Sequence, residues 1–141
     1  MARPDERIHR TVFISISNPL SSMADTARLV QGELERVAAG VSGMALCCSD
    51  RWVCMLEGNF AEVECLSAGI VNITRPRTLH RLMTEPRAQQ LIFPQHRIGW
   101  RFDAPLLEMA AFVNDLHRYS RRASLWSMSL SQITALLEPG H

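Results

Sequence analysis

A chain of 141 residues with 47% apolar content is long enough for one domain around a single buried core. A formal net charge of +1 supplies no global field to hold nucleic acid or an anionic membrane surface. No apolar run approaches the ~20 residues of a membrane span, and residues 1–10 lack the apolar core of a secretory signal. The four cysteines (Cys47, Cys48, Cys54 and Cys65) follow neither a zinc nor a disulfide spacing and sit in apolar stretches, where free Cys packs as a small hydrophobe. The expectation is a cytoplasmic, metal-free protein with no membrane contact. All 15 basic residues are Arg, which reads first as a compositional bias.

In chain order, residues 11–16 are β-branched and aromatic and predict a first strand, broken by Asn18-Pro19. Ser22 and Asp25 resemble a capping box, and Met23, Ala27, Val30, Leu34 and Val37 recur at helical spacing, so a first helix spans about 22–38, with Gly40 as its stop. Residues 44–48 and 52–56 are apolar runs around the polar pair Ser49-Asp50 and predict a hairpin covered on both faces. Asn59 with Glu62 opens a second helix, whose inner stripe is Val63, Leu66, Ile70 and Ile73 and which Pro76 ends. Residues 79–84 predict a fourth strand, 89–93 a strand or its approach, and 96–102 a fifth. Leu106, Met109, Val113 and Leu116 mark a third helix; Leu130, Ile133 and Leu137 mark a short fourth, ended by Pro139-Gly140. The order β-α-β-β-α-β-β plus two helices is an α+β, ferredoxin-like plan, with the first two helices on one face of the sheet. The C-terminal pair is expected to pack on the other face or to serve a partner. A single domain over 1–141 is expected, with a core at 10–102 and a helical extension at 103–141.

The block Gly43-Met-Ala-Leu-Cys-Cys-Ser-Asp-Arg-Trp-Val-Cys-Met-Leu-Glu-Gly58 resembles the heart of the BLUF family of flavin-binding blue-light sensors. Ser42-Gly43, Trp52 and Leu56-Glu57-Gly58 fall in register with the family's pattern, and the likeness runs without a gap through Val63, Ile70 and Arg75 to Glu85-Pro86, covering about residues 10–100. It implies a ferredoxin-like sheet with a flavin site between the first two helices. The family's first-strand Tyr is matched here by Phe13, which has no hydroxyl, and its third-strand Gln by Cys54, whose thiol is a weak donor without amide geometry. The family's flavin-contacting Asn falls near Arg36. Its Asp-x-Arg-His becomes Ile73-Thr74-Arg75-Pro76, keeping only Arg75, and its Trp-x-Met becomes His96-Arg97-Ile98. Loss of three or four hydrogen bonds at about 1 kcal/mol or more each weakens binding by roughly two to three orders of magnitude or more. The resulting expectation is no cofactor and no BLUF-type photocycle, in a regulatory protein that acts through a signalling or transcription-control partner or a second copy.

The alternative is a sensor holding haem, FAD or another ligand in the pocket, or sensing redox through Cys54. No His or Cys spacing supports haem or metal at His80 or His96. Trp100, Phe112 and Trp126 concentrate aromatic area near the C-terminus and either pack the C-terminal helices on the sheet or are candidate partner contacts, with Arg118, Arg121 and Arg122 beside them. That basic cluster is better read as a helix end favoured by the dipole than as a nucleic-acid contact. No nucleophile–base set and no Gly-rich phosphate loop is present, so no enzymatic activity is expected.

Overall fold

The computed structural model describes residues 8–17, 23–37, 40–48, 50–88, 90–92, 98–101, 104–119 and 125–138. The strands are β1 (Ile8–Ser17), β2 (Val41–Cys48), β3 (Arg51–Gly58), β4 (Pro76–Ala88) and β5 (Ile98–Arg101); the helices are α1 (Met23–Val37), α2 (Phe60–Thr74), α3 (Leu106–Tyr119) and α4 (Leu130–Leu137). They form a sheet in the order β4-β1-β3-β2-β5, antiparallel except for the parallel β2–β5 pair. This is the ferredoxin-like α+β plan expected.

Strand side chains alternate between faces, and here each face meets its own helices. Val12, Ile14, Ile16, Leu46, Val53 and Met55 point to one side, where they bury against Met109, Val113 and Leu116 of α3 and Ile133 and Leu137 of α4. Phe13, Val41, Ala45, Cys47, Trp52, Cys54 and Leu56 point to the other, against Val30 of α1 and Val63, Leu66 and Ile70 of α2. Both faces being covered explains the near-continuous apolarity of β2 and β3. Of the two placements open to the C-terminal helices, the sheet's far face is the one observed.

Local chemistry fixes the ends. Asn59 caps α2, its Oδ1 accepting from the Ala61 and Glu62 amides at 2.9 and 3.4 Å. Ser129 and Gln132 form a full capping box on α4. The Ser22–Asp25 box lies outside the described residues. Helix α2 ends at Thr74, two residues before Pro76: its C-cap Arg75 adopts left-handed backbone (φ 45°) and returns its N–H to Val71 O at 3.0 Å.

Strand β4 is longer at both ends than the strand expected at 79–84, and residues 90–92, expected as a strand or its approach, lie beyond its end and are not strand. The strand pairs with β1 from Pro76 to Ala88, with register shifts between Ile8 and Arg10, Val12 and Phe13, and Ile16 and Ser17. Pro86 is tolerated because it sits at one of these bulges on an edge strand, where a missing N–H costs no ladder bond.

Two charged residues of β3 tie the C-terminal half to the sheet. Arg51 donates from Nε to Leu136 O (3.0 Å) and from Nη2 to Glu138 O (2.9 Å), capping the end of α4. Glu57, wholly buried, accepts from Arg10 Nε at 3.0 Å and from the Ile92 amide at 2.9 Å, while Arg10 also donates to Glu85 and to Gln90 O. Glu57 therefore anchors both β1 and the chain at 90–92.

Candidate ligand face between the sheet and the first two helices

Cross-strand pairing brings the two central site candidates together. Phe13 is the register partner of Cys54 on β3 and of Arg81 on β4; Cys54 partners Ala45 on β2, and Ala45 partners Trp100 on β5. Partnered residues project from the same side of a sheet. Arg81, Phe13, Cys54, Ala45 and Trp100 therefore make one row across all five strands, on the side of α1 and α2. Phe13 and Cys54 are 1% and 0% exposed beneath Val30, Leu66 and Ile70, while Trp100 at the sheet edge is 39% exposed. The helices approach closely above the row: a methyl group at Gly69 of α2 would run into the Glu33 carboxylate of α1.

Polar groups flank the row. Towards the start of α2, Arg81 Nη1 donates to Thr11 Oγ1 and to Glu64 Oε2, each at 3.1 Å. His9 Nε2 lies 3.4 Å from the same carboxylate, with its ring edge-on to Phe60 at 4.8 Å. At the other end the Ser15 and Thr74 hydroxyls meet at 3.3 Å.

The remaining candidates distribute as follows. Ile98 packs against the same core, opposite Gly43. Arg36 lies on α1, with its side chain outside the described residues, and His96 lies outside them altogether. Arg75 is exposed at the C-cap of α2 and is not part of the row. Trp100, grouped above with the partner candidates, is the tryptophan that β5 carries, and it stands in the same row as Phe13 and Cys54. The signal for this was the β2–β5 register, which a sequence without its pairing does not display. Of the other partner candidates, Trp126 is buried in the α3/α4 core at 8% exposure and Phe112 is partly buried against it. Arg118 is exposed in the last turn of α3; Arg121 and Arg122 lie outside the described residues. Among the described residues, no three His, Cys, Asp or Glu side chains converge to hold a metal ion.

The redox reading of Cys54 loses its physical basis. Burial, with Cys47 nearby, pushes the Cys54 thiol far above its ordinary range. Burial, then Cys48 and Asp50, push Cys47 up to about 12 from 9.0. Reactive thiols need the opposite, an accessible and electropositive setting. These thiols stay protonated in the folded state while unfolded thiols ionise above pH 9.0, so the unfolded chain binds fewer protons there and stability falls as pH rises from 9.0 towards 12. The expected loss is at most about 1.4 kcal/mol per pH unit for each thiol. Urea unfolding of the wild type and Cys47→Ala across this window checks it: equal pH slopes in the two proteins would contradict the assignment.

No family model matches the sequence, and no curated protein matches it. Solved structures do. The chain superposes on BlsA in its photo-activated state with a TM-score of 0.61 at 17% identity, covering 92% of this chain and 94% of that one. It superposes on the BlrP1 BLUF domain with a TM-score of 0.59 at 17% identity, covering 96% and 93%. The longer BlrP1 of Klebsiella pneumoniae, solved with FMN and cyclic diGMP, gives 0.59 at 17% identity over 94% of this chain and 35% of that one. A bacterial light-regulated adenylyl cyclase gives 0.59 at 18% identity over 82% of this chain; the chain spans 36% of that protein. The class is thus a five-stranded α+β sandwich of ferredoxin-like plan. More narrowly, the chain has the BLUF-type fold. The expectation of no cofactor is overturned by these comparisons, because the fold is one solved with a flavin, FMN, in BlrP1. A buried aromatic ring contributes apolar area as well as polar contacts, so the loss of hydrogen-bond partners at its edge does not by itself exclude it.

Proposed function

We propose that the chain is a sensory module that takes up a flavin on the α1/α2 side of its sheet and passes its state, through the C-terminal helices, to a signalling partner. The observation that carries this reading is the row Phe13–Cys54–Ala45–Trp100 under α1 and α2, in a fold that holds FMN in another protein. The row is apolar and covered by Val30, Leu66 and Ile70, so a flavin would reach it by parting α1 and α2 and would then bury its flat body there by stacking. Its hydrogen-bonding edge is not matched: the Phe13 phenyl ring offers no hydroxyl and the Cys54 thiol is a weak donor. The Tyr–Gln pair that the resemblance implies elsewhere is missing, and no photochemical step is assigned. In this reading the chain is a single regulatory unit without catalysis of its own, working in the cytoplasm on a signalling or transcription-control protein or a second copy.

Titration of the purified chain with FMN and FAD, followed by absorbance, tests the reading. Saturable binding is expected, with a flavin spectrum that blue light leaves unchanged. The double variant Phe13→Tyr/Cys54→Gln, which places a hydroxyl and an amide on register partners, should bind ~10-fold tighter, from about 1 kcal/mol per added hydrogen bond less the cost of fitting a larger side chain at 54. Absence of saturable binding by the wild type sinks the flavin reading. A light-driven spectral shift in the wild type sinks the claim that the Tyr–Gln pair is needed here.

A further inference from the structure

At the bulge in the middle of β4, hydrogen bonds from the α2 side and from the C-terminal segment converge. Val12 pairs with Met83 and Phe13 with Arg81, so Leu82 is the extra residue. A bulge turns neighbouring side chains out of strict alternation, and Leu82 and Met83 both lie in the core beneath α3 and α4. Arg81 stays on the other face, at its exposed end. Its guanidinium holds Glu64 of α2 and Thr11 of β1.

Every carbonyl of the bulge has a donor. The Met83 carbonyl accepts from Thr11 Oγ1 at 3.3 Å. The Leu82 carbonyl accepts from the Ser127 amide at 2.8 Å, and the Arg81 carbonyl from Ser127 Oγ at 2.8 Å. Beside them Met83 and Trp126 form an antiparallel bridge. The segment 125–128 is thus a clasp on the outer edge of β4, covering carbonyls that an edge strand would otherwise present. It continues directly into the C-terminal helices: Trp126 lies on the His117 ring of α3 at 4.8 Å, and Ser129 caps α4.

Two sites therefore meet at one backbone irregularity. Moving Arg81 with Glu64 shifts the carbonyl that Ser127 Oγ holds, and releasing Ser127 frees the peptide that positions Arg81. Coupling between sites requires a shared element whose arrangement both of them bias, and the bulge Arg81–Met83 is placed to be that element. We propose that the Glu64–Arg81–Ser127 relay through this bulge couples the α2 side of the sheet to the C-terminal clasp, so that a change at α2 loosens or tightens residues 125–128. This stands on the geometry of the bulge and does not depend on the identity of the ligand; its test uses no ligand.

The clasp reports on itself through the Ser127 amide. Hydrogen exchange by NMR on the full chain compares wild type with Arg81→Met and Glu64→Gln, with Arg101→Met as a control that removes the exposed Arg101–Glu108 pair elsewhere. Exchange is read relative to amides of β3, which cancels global unfolding. The expected result is at least about threefold faster exchange at Ser127 in Arg81→Met and Glu64→Gln, a size suited to a half-exposed ion pair, and none in the control. Unchanged Ser127 exchange in both variants, or an equal rise in the control, overturns the proposal. A double-mutant cycle of Arg81→Met with Ser127→Ala adds a second measurement. The unfolding constants should depart from the product of the single effects by about threefold or more, and agreement with that product overturns it.

Discussion

Glu57→Ala is expected to lower the stability of the fold by about 3–5 kcal/mol, the range for breaking a buried ion pair from one side. The Glu57 side chain is 0% exposed and that of Arg10 is 5% exposed. The carboxylate accepts from Arg10 Nε at 3.0 Å, lies 2.9 Å from Arg10 Nη2, and accepts from the Ile92 amide at 2.9 Å. Its removal leaves a guanidinium buried on β1 with only Glu85 and the Gln90 carbonyl to hold it, and strips an amide of its acceptor. Glu57→Gln keeps the shape and one acceptor oxygen, and should cost less than Glu57→Ala. Urea denaturation with an unchanged m-value measures both. A loss below about 1 kcal/mol for Glu57→Ala would show that the pair is not the anchor described here, since surface ion pairs fall in that range.

Gly43→Ala is the second large effect, at about 2–4 kcal/mol. Gly43 has φ 150°, a conformation that L side chains rarely adopt, and a methyl group there would run into the carbonyl of Met55 on β3. The cost combines backbone strain, about 1–3 kcal/mol, with displacement of a neighbouring strand's backbone. Gly32 on α1 is the internal comparison. Nothing lies within 4 Å of a methyl group there, and Gly32→Ala should raise stability by about 0.5–1 kcal/mol through helix propensity. Thermal melts of the two variants should therefore shift in opposite directions. A Gly43→Ala protein that melts within a degree or so of wild type would contradict the close β2–β3 approach.

The sheet was legible in the sequence because its signals are local. Thr11–Ile16, the hairpin around Ser49-Asp50 and the Asn59 cap each announce themselves within a few residues, and the Gly43–Gly58 block brought the family resemblance with it. The long course of β4 was not, because Pro86 is a breaker by every local rule and only its place at an edge bulge makes it harmless. The candidate site was half legible. Phe13 and Cys54 were picked out one at a time by resemblance. Their contact is a fact of β1–β3 register, and the place of Trp100 in the same row is a fact of β2–β5 register. For Trp126 the sequence leaves core and contact open, since aromatic area near a terminus signals either; its burial and its bridge to Met83 are facts of the tertiary pairing. Ser127 carried no sequence signal, since a serine that satisfies bulge carbonyls looks like any other serine.

The ligand face is tested most directly by two-dimensional amide NMR of the full chain as FMN is added. The account predicts that shifts concentrate at Phe13, Ala45 and Cys54 and at the Trp100 indole, with Leu66 and Ile70 of α2 following. Shifts confined to α3 and α4, or no shifts at saturating FMN, would contradict it.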